Sequence, residues 1–379
     1  MFTYEHDRRF FGQIGQGLED QGAIELQELG ATEVTPAYRG LYFNATTEAL
    51  YRINYSARML TRILAPLLRF DCHSTKYLYQ TAIKMPWHEM LRKDGSFIIS
   101  SRAANSKINH SQYAAQCLKD AIADHFKSRF GVRPSIDKDN PDLWLDLHID
   151  KDKATISIDT SGGSLHRRGY RKDTVEAPIQ ESLGAAIIRL SEWQGERPLV
   201  DPMCGSGTLL SEALMHYCRF PAGCLRQRFG FEAMPDFHRT AWLEVKREMD
   251  SKSRTLPEGL IRGNDLSANA VRASRTNLGQ LDHGSGVIVS KGGYQKLDGI
   301  EDSVIVCNPP HGIRLGREQD MGMFMKEFGD FLKQRCTGSS AFLYFGKRDL
   351  LKRIGLRPAW KKPLVSGGQE GVLARYDMY

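Results

Sequence analysis

The eight residues Asp201-Pro202-Met203-Cys204-Gly205-Ser206-Gly207-Thr208 constrain this chain more than any other stretch, because they join the apolar run Leu199-Val200-Asp201 to the helix pattern Leu209–Tyr217. Glycine is needed where a backbone turns tightly and approaches a ligand with no Cβ in the way, and the helix that follows offers free N–H groups at its start. The arrangement predicts a strand, a tight loop and a helix, with a ligand at the strand's C-terminal edge. An ordinary strand-to-helix turn is the alternative on these residues alone. A dinucleotide site is disfavoured: Leu210 stands where that fingerprint has its third glycine, and no acidic residue ends a clear strand about 20 residues later. A nucleotide phosphate loop is disfavoured too, since no G-x-x-x-x-G-K-[ST] pattern lies near.

From Pro198 onward a strand, loop, helix rhythm repeats. Short apolar runs fall at Leu199–Asp201, Leu260–Asp265, Gly286–Ser290, Ser303–Cys307 and Ala341–Phe345, several with a helix pattern behind them. This predicts an open, largely parallel sheet covered on both faces. The run Ser303–Cys307 ends in Asn308-Pro309-Pro310-His311-Gly312. Prolines fix φ and cannot continue a central strand, so the chain turns there at a stiff corner. The side-chain oxygen of Asn308 and the neighbouring proline carbonyl can accept both hydrogens of an aromatic amino group. In isolation, N-P-P is only a turn.

Together the two motifs resemble those of S-adenosylmethionine-dependent methyltransferases that act on exocyclic amino groups. Residues 201–208 resemble motif I in its D-P-x-C-G-S-G-T form, and Asn308-Pro309-Pro310-His311 resembles motif IV, N-P-P-[YFW], with His311 in the place of the larger aromatic. The resemblance implies that Asp201 to Thr208 hold the donor and that Asn308 to His311 hold the target base. It also implies a carboxylate at the end of the next strand for the donor's ribose hydroxyls, here Asp265 in Gly263-Asn264-Asp265-Leu266-Ser267, with Leu266 beside it. Read from the residues, an N-cap for the helix pattern Ala268–Leu281 is the alternative role for Asp265. Residues 218–259 would form an insertion with a helix near Arg239–Met249, and no acidic adenine ligand is evident in Gly292-Gly293-Tyr294-Gln295.

Further stretches narrow the resemblance. Leu165-His166-Arg167-Arg168-Gly169-Tyr170-Arg171, Glu176-Ala177-Pro178-Ile179-Gln180-Glu181, Arg314-Leu315-Gly316 and Ile354-Gly355-Leu356-Arg357 are similar to the THUMP-containing RNA guanine-N2 methyltransferases, nearest their bacterial large-subunit ribosomal RNA branch. The implied fold is α/β: an α+β ferredoxin-like segment (1–65), a THUMP RNA-binding domain (66–162) and a Rossmann-like methyltransferase sheet (163–379). The implied reaction moves a methyl from S-adenosylmethionine to guanine N2 in RNA, ribosomal RNA first and transfer RNA second. One motif I suggests one activity. A DNA adenine-N6 methyltransferase and a non-catalytic RNA-binding assembly factor remain open alternatives.

The front half fits an α+β reading, with strands at Phe10–Ile14, Val34–Phe43 and Met59–Phe70 between helix patterns, then a helix at Ser111–Phe130 and strands at Trp144–Ile149 and Ala154–Asp159. The formal charge is +7, and all of the excess lies in residues 161–379. Two clusters carry it: His166 to Lys172, where Arg167, Arg168, Arg171 and Lys172 would grip phosphates and Tyr170 would stack, and Lys347 to Lys362. A solvated surface is the alternative for both. Seven cysteines without a C-x-x-C pair suggest a reducing compartment and no metal, and the start of the chain lacks a leader pattern. A cytoplasmic protein with no membrane contact is expected.

Overall fold

The computed structural model describes residues 2–175, 178–298, 300–310, 318–366 and 369–379. His311, the Glu176-Ala177 pair and Arg314-Leu315-Gly316 lie outside the described residues.

The N-terminal half runs α1 (Thr3–Asp7), β1 (Arg9–Gln13), α2 (Glu19–Glu28), β2 (Thr32–Ala37), β3 (Gly40–Asn44), α3 (Thr47–Ser56) and β4 (Arg62–Asp71). It continues through α4 (Thr75–Ala82), β5 (Ser96–Ala104), α5 (Ser111–Phe130), β6 (Ser135–Ile136), β7 (Leu143–Asp150) and β8 (Lys153–Asp159). All eight strands form one sheet in the order β2-β3-β1-β4-β8-β7-β5-β6. The expected boundary at 65/66 falls inside β4, which pairs with β1 through Arg62–Leu64 and with β8 through Leu64–Asp71. The two expected units therefore share a strand and a continuous sheet.

The C-terminal half contains α6 (Glu181–Leu190), β9 (Leu199–Asp201), α7 (Thr208–Tyr217), α8 (Arg239–Asp250), β10 (Ile261–Asp265), α9 (Ala268–Leu278) and β11 (Ile288–Lys291). Then come β12 (Val304–Cys307), α10 (Glu318–Arg335), β13 (Ser340–Phe345), β14 (Trp360–Ser366) and β15 (Gln369–Asp377). The seven strands are ordered β11-β10-β9-β12-β13-β15-β14, with β9 to β13 mutually parallel and β15 antiparallel to both neighbours. Both faces are buried, as all-apolar strands require: Val304 and Val306 join the core under α6, α7 and α9, while Ile305 and Cys307 join the one under α10. The chain moves outward from β9 to β10 to β11 and then returns to place β12 on the other side of β9. That reversal opens a crevice at the C-terminal ends of β9 and β12.

Residues 218–259 clasp the two halves together. Phe229, Phe231 and Trp242 pack around Tyr51 and Tyr55 of α3, and Arg226 donates to the Ser161 and Gly162 carbonyls at 2.9 Å each. Gly230 is a position where only glycine fits, since a Cβ would lie 1.9 Å from the Asp159 carbonyl oxygen.

Candidate active site

The loop after β9 owes its shape to its glycines. Gly205 and Gly207 have φ of +53° and +78°, and Gly207 presses so closely on α9 that a Cβ would come within 2.3 Å of Ser274 Oγ. Leu210, on the first turn of α7, fills the space a third glycine would leave. The close helix–strand approach is supplied instead by Gly263 of β10, whose added Cβ would meet Leu210 Cδ1 at 2.3 Å.

Two carboxylates support this loop from below. Asp201 is buried and its Oδ1 accepts from the Met203 N–H at 3.1 Å. Burial pushes its pKa up to about 8, and the Cys307 thiol shares a hydrogen bond with it. Asp265 Oδ2 accepts from the Gly205 N–H at 2.9 Å, and Oδ1 from the Ser267 N–H at 2.8 Å. The N-cap of α9 is Ser267, not Asp265: its side chain accepts from the Ala270 N–H. Asp265 is thus tied to the glycine loop, and each of its oxygens, with one bond accepted, retains acceptor capacity. Leu266 beside it is 75% exposed at the edge of the sheet.

The elevated pKa of Asp201 gives a pH prediction. A carboxyl whose folded pKa lies above its unfolded value stabilises the fold most below the unfolded value, near pH 4, and that stability drains away as pH rises toward 8. Asp201→Asn, which keeps the acceptor oxygen and cannot ionise, is expected to be more stable than the natural chain across that window, by a few kcal/mol at most, and so to melt at a higher temperature. Paired thermal melts from pH 5 to 8.5 measure the difference. A gap that does not widen with pH would contradict the burial argument.

Across the crevice, Cys307 leads into Asn308, and β12 pairs with β9 in parallel through Val304–Leu199 and Ile305–Val200. The Asn-Pro-Pro corner and the glycine loop therefore leave adjacent strands at the same edge of the sheet. Asn308 Oδ1 is buried with no hydrogen-bond partner among the described residues. Pro309 is buried behind it and Pro310 half-buried. A buried acceptor without a donor is costly, which makes this oxygen a candidate acceptor for an incoming N–H group.

The basic cluster before α6 differs from the expectation. Arg168 is 1% exposed: it pairs with Glu212 of α7 at 3.3 Å, donates to the Leu165 carbonyl at 2.7 Å and also to the Arg58 carbonyl. Tyr170 is equally buried and its hydroxyl donates to Glu212 at 3.0 Å. Arg171 pairs with Glu181 at 3.0 Å and donates to Thr208 Oγ1 at 3.1 Å. These three side chains are consumed inside the protein, because Glu212 and Glu181 supply the opposing charge there. They are not free to grip phosphates or stack on a base. Arg167 and Lys172 are exposed. The second cluster fares differently: Lys347, Arg348, Lys352, Arg353 and Arg357 are exposed just beyond the C-terminal end of β13, the strand next to β12.

Three polar residues of this region were not singled out from sequence. Asn264 donates to the Gly292 carbonyl at 2.7 Å and the Pro202 carbonyl at 3.3 Å, stapling the ends of β9, β10 and β11. Ser274 and Asn277 face the glycine loop from α9. The available signal was their position on the buried stripe Ala270, Ala273, Ser274, Asn277, where a polar residue needs a partner. Among the described residues no group of three or more His, Cys, Asp or Glu side chains could hold a metal, and no helix is long and apolar enough to cross a membrane.

Comparison with known proteins agrees with this architecture. Residues 168–375 match an RMKL-like methyltransferase domain, 72–159 a THUMP domain and 9–64 an RlmL ferredoxin-like domain. A Synechocystis sp. protein named as an RNA methyltransferase is 34% identical over 98% of this chain and 97% of its own length. A ribosomal RNA large subunit methyltransferase K/L of Syntrophotalea carbinolica is 35% identical over 98% of this chain and 53% of its own length. The chain spans about half the length of the K/L relatives it matches. The crystal structure of SMU.472, named as a methyltransferase and complexed with SAH, superposes with a TM-score of 0.86 at 25% identity, covering 98% of each chain. With a shared sheet, a THUMP match and relatives along its full length, the chain belongs to the THUMP-containing, RMKL-like family of RNA methyltransferases.

Proposed function

We propose that this chain transfers a methyl group from S-adenosylmethionine to the exocyclic N2 of a guanine in RNA, with 23S ribosomal RNA as the preferred substrate, in the cytoplasm. The observation that carries the reading is the buried, unpartnered Asn308 Oδ1 at the end of β12, beside the glycine loop at the end of β9.

The residues present fit the donor. Gly205 leaves open backbone over which its aminocarboxypropyl tail can lie, with Val175 Cγ2, at 3.5 Å, the one atom of the described residues near the missing Cβ. Asp265 keeps lone pairs for a vicinal diol, and the exposed Leu266 offers an apolar surface to a purine. When bound, the donor supplies an electrophilic methyl on a sulfonium. Asn308 Oδ1 and the Pro309 carbonyl accept the hydrogens of the target amino group, hold it in line and stabilise the positive charge that develops on its nitrogen. No strong base is required, and the proton leaves to solvent after transfer. A paired guanine must first leave its stack, and His311 is proposed to cover it there.

RNA is favoured as substrate by the THUMP match and by the exposed cations beyond β13, which flank the crevice where a target strand's phosphates would pass. Converting Lys352 and Arg353 to alanine is expected to weaken RNA binding across sequences and to flatten the dependence of log affinity on log salt by roughly one unit per cation. Filter binding over a salt series measures it. Labelled-methyl transfer to protein-free 23S RNA, transfer RNA and duplex DNA tests the reading: incorporation into RNA supports it, and incorporation into DNA alone overturns it.

A further inference from the structure

The segment between β8 and α6 is hydrogen-bonded to the glycine loop, and one side chain of α9 bridges the two. Asn277 of α9 is 1% exposed and uses its whole hydrogen-bonding capacity. Its Oδ1 accepts from the Lys172 N–H at 2.8 Å and the Asp173 N–H at 3.0 Å, and its Nδ2 donates to the Asp173 carbonyl at 2.8 Å and to the Ser206 carbonyl at 2.9 Å. Ser206 lies between the two glycines with positive φ. On the far side of the loop, Arg171 donates to Thr208 Oγ1 at the first residue of α7. Two residues beyond Asp173, Val175 places its Cγ2 over Gly205, the nearest atom to the face that glycine leaves bare.

We infer that Asn277 is a positioning residue for the methyl donor: by fastening Lys172 and Asp173 to Ser206, it fixes the curvature of the glycine loop and holds Val175 as one wall of the donor pocket. The inference rests on the proposed donor and goes beyond it, assigning part of the pocket to the stretch of chain that precedes α6. A loop built from two glycines has many conformations to lose, and a buried amide that fills four hydrogen bonds selects one of them in advance. Donor affinity should then depend on a side chain that does not itself reach the donor.

The test is calorimetric titration of the full chain with S-adenosylhomocysteine, alongside binding of protein-free 23S RNA, for the natural chain, Asn277→Ala and Val175→Gly. The expected result is donor-product affinity lower by about tenfold or more in Asn277→Ala and by several-fold in Val175→Gly, with RNA affinity unchanged in both. A role confined to stability would lower the active fraction and the melting temperature but leave the affinity of the folded molecules untouched. If Asn277→Ala does not fold, Val175→Gly, which alters only a half-buried side chain, decides the matter alone. Unaltered affinity in the variants, or equal losses for RNA and S-adenosylhomocysteine, would overturn the inference. No binding by the natural chain would overturn the donor assignment and this inference with it.

Discussion

Asn308→Ala is expected to lower methyl transfer to RNA about 10²–10³-fold while leaving S-adenosylhomocysteine binding essentially unchanged. The asymmetry follows from where Asn308 sits. Its Oδ1 is buried without a partner at the end of β12, whereas the contacts proposed for the donor lie on the loop after β9 and at the end of β10. Alanine removes the acceptor proposed to align the amino group and to take up its developing charge, and leaves the side chains that shape the glycine loop in place. Single-turnover rates at saturating donor, paired with calorimetry, separate the two effects. Undiminished transfer would remove Asn308 from the reaction, and lost donor binding would show that its role is structural.

Glu212→Ala is expected to destabilise the chain by about 3–5 kcal/mol, comparable with the whole stability of a marginal protein. Glu212 is fully buried on α7 and receives both Arg168 and Tyr170, so its loss strands a guanidinium in the interior. The network reaches further. Arg58, between the N-terminal half and α7, donates to the Met215 and Phe220 carbonyls, and burial lowers its pKa. Replacing both charges, as Arg168→Met with Glu212→Leu, should cost less than Glu212→Ala alone, because Arg168 is then not left buried without its carboxylate. Urea midpoints of the three variants check the ordering. A double variant less stable than the single would mean that the ion pair contributes net stability.

The site was more legible in the sequence than the interior that supports it. Glycine loops and Asn-Pro-Pro corners are local devices: their backbone demands are written in consecutive residues, and the structure sets 201–208 and 308–310 on neighbouring parallel strands. The fold class follows from local rhythm for the same reason. What escaped depends on partners distant in the chain. The run His166 to Lys172 reads as a surface until Glu212, more than forty residues later, arrives on α7 to neutralise Arg168. The shared sheet hangs on β4 pairing with two strands, one before it and one after it, which no local pattern reveals. Helix α10 carries Met321, Met325, Phe328 and Leu332 on one buried face, a helical spacing that is local and therefore legible in the sequence. Leu210 departs from the dinucleotide fingerprint, and the close helix–strand approach is provided by Gly263 on the neighbouring strand β10, a partner distant in the chain.

Nucleoside mass spectrometry of 23S RNA, purified from cells lacking this protein and incubated with the natural chain and S-adenosylmethionine, tests the central claim most directly. The expected product is N2-methylguanosine, formed by the natural chain and nearly absent with Asn308→Ala. A methyl group found on any other atom, or an RNA digest unchanged by the enzyme, would contradict it.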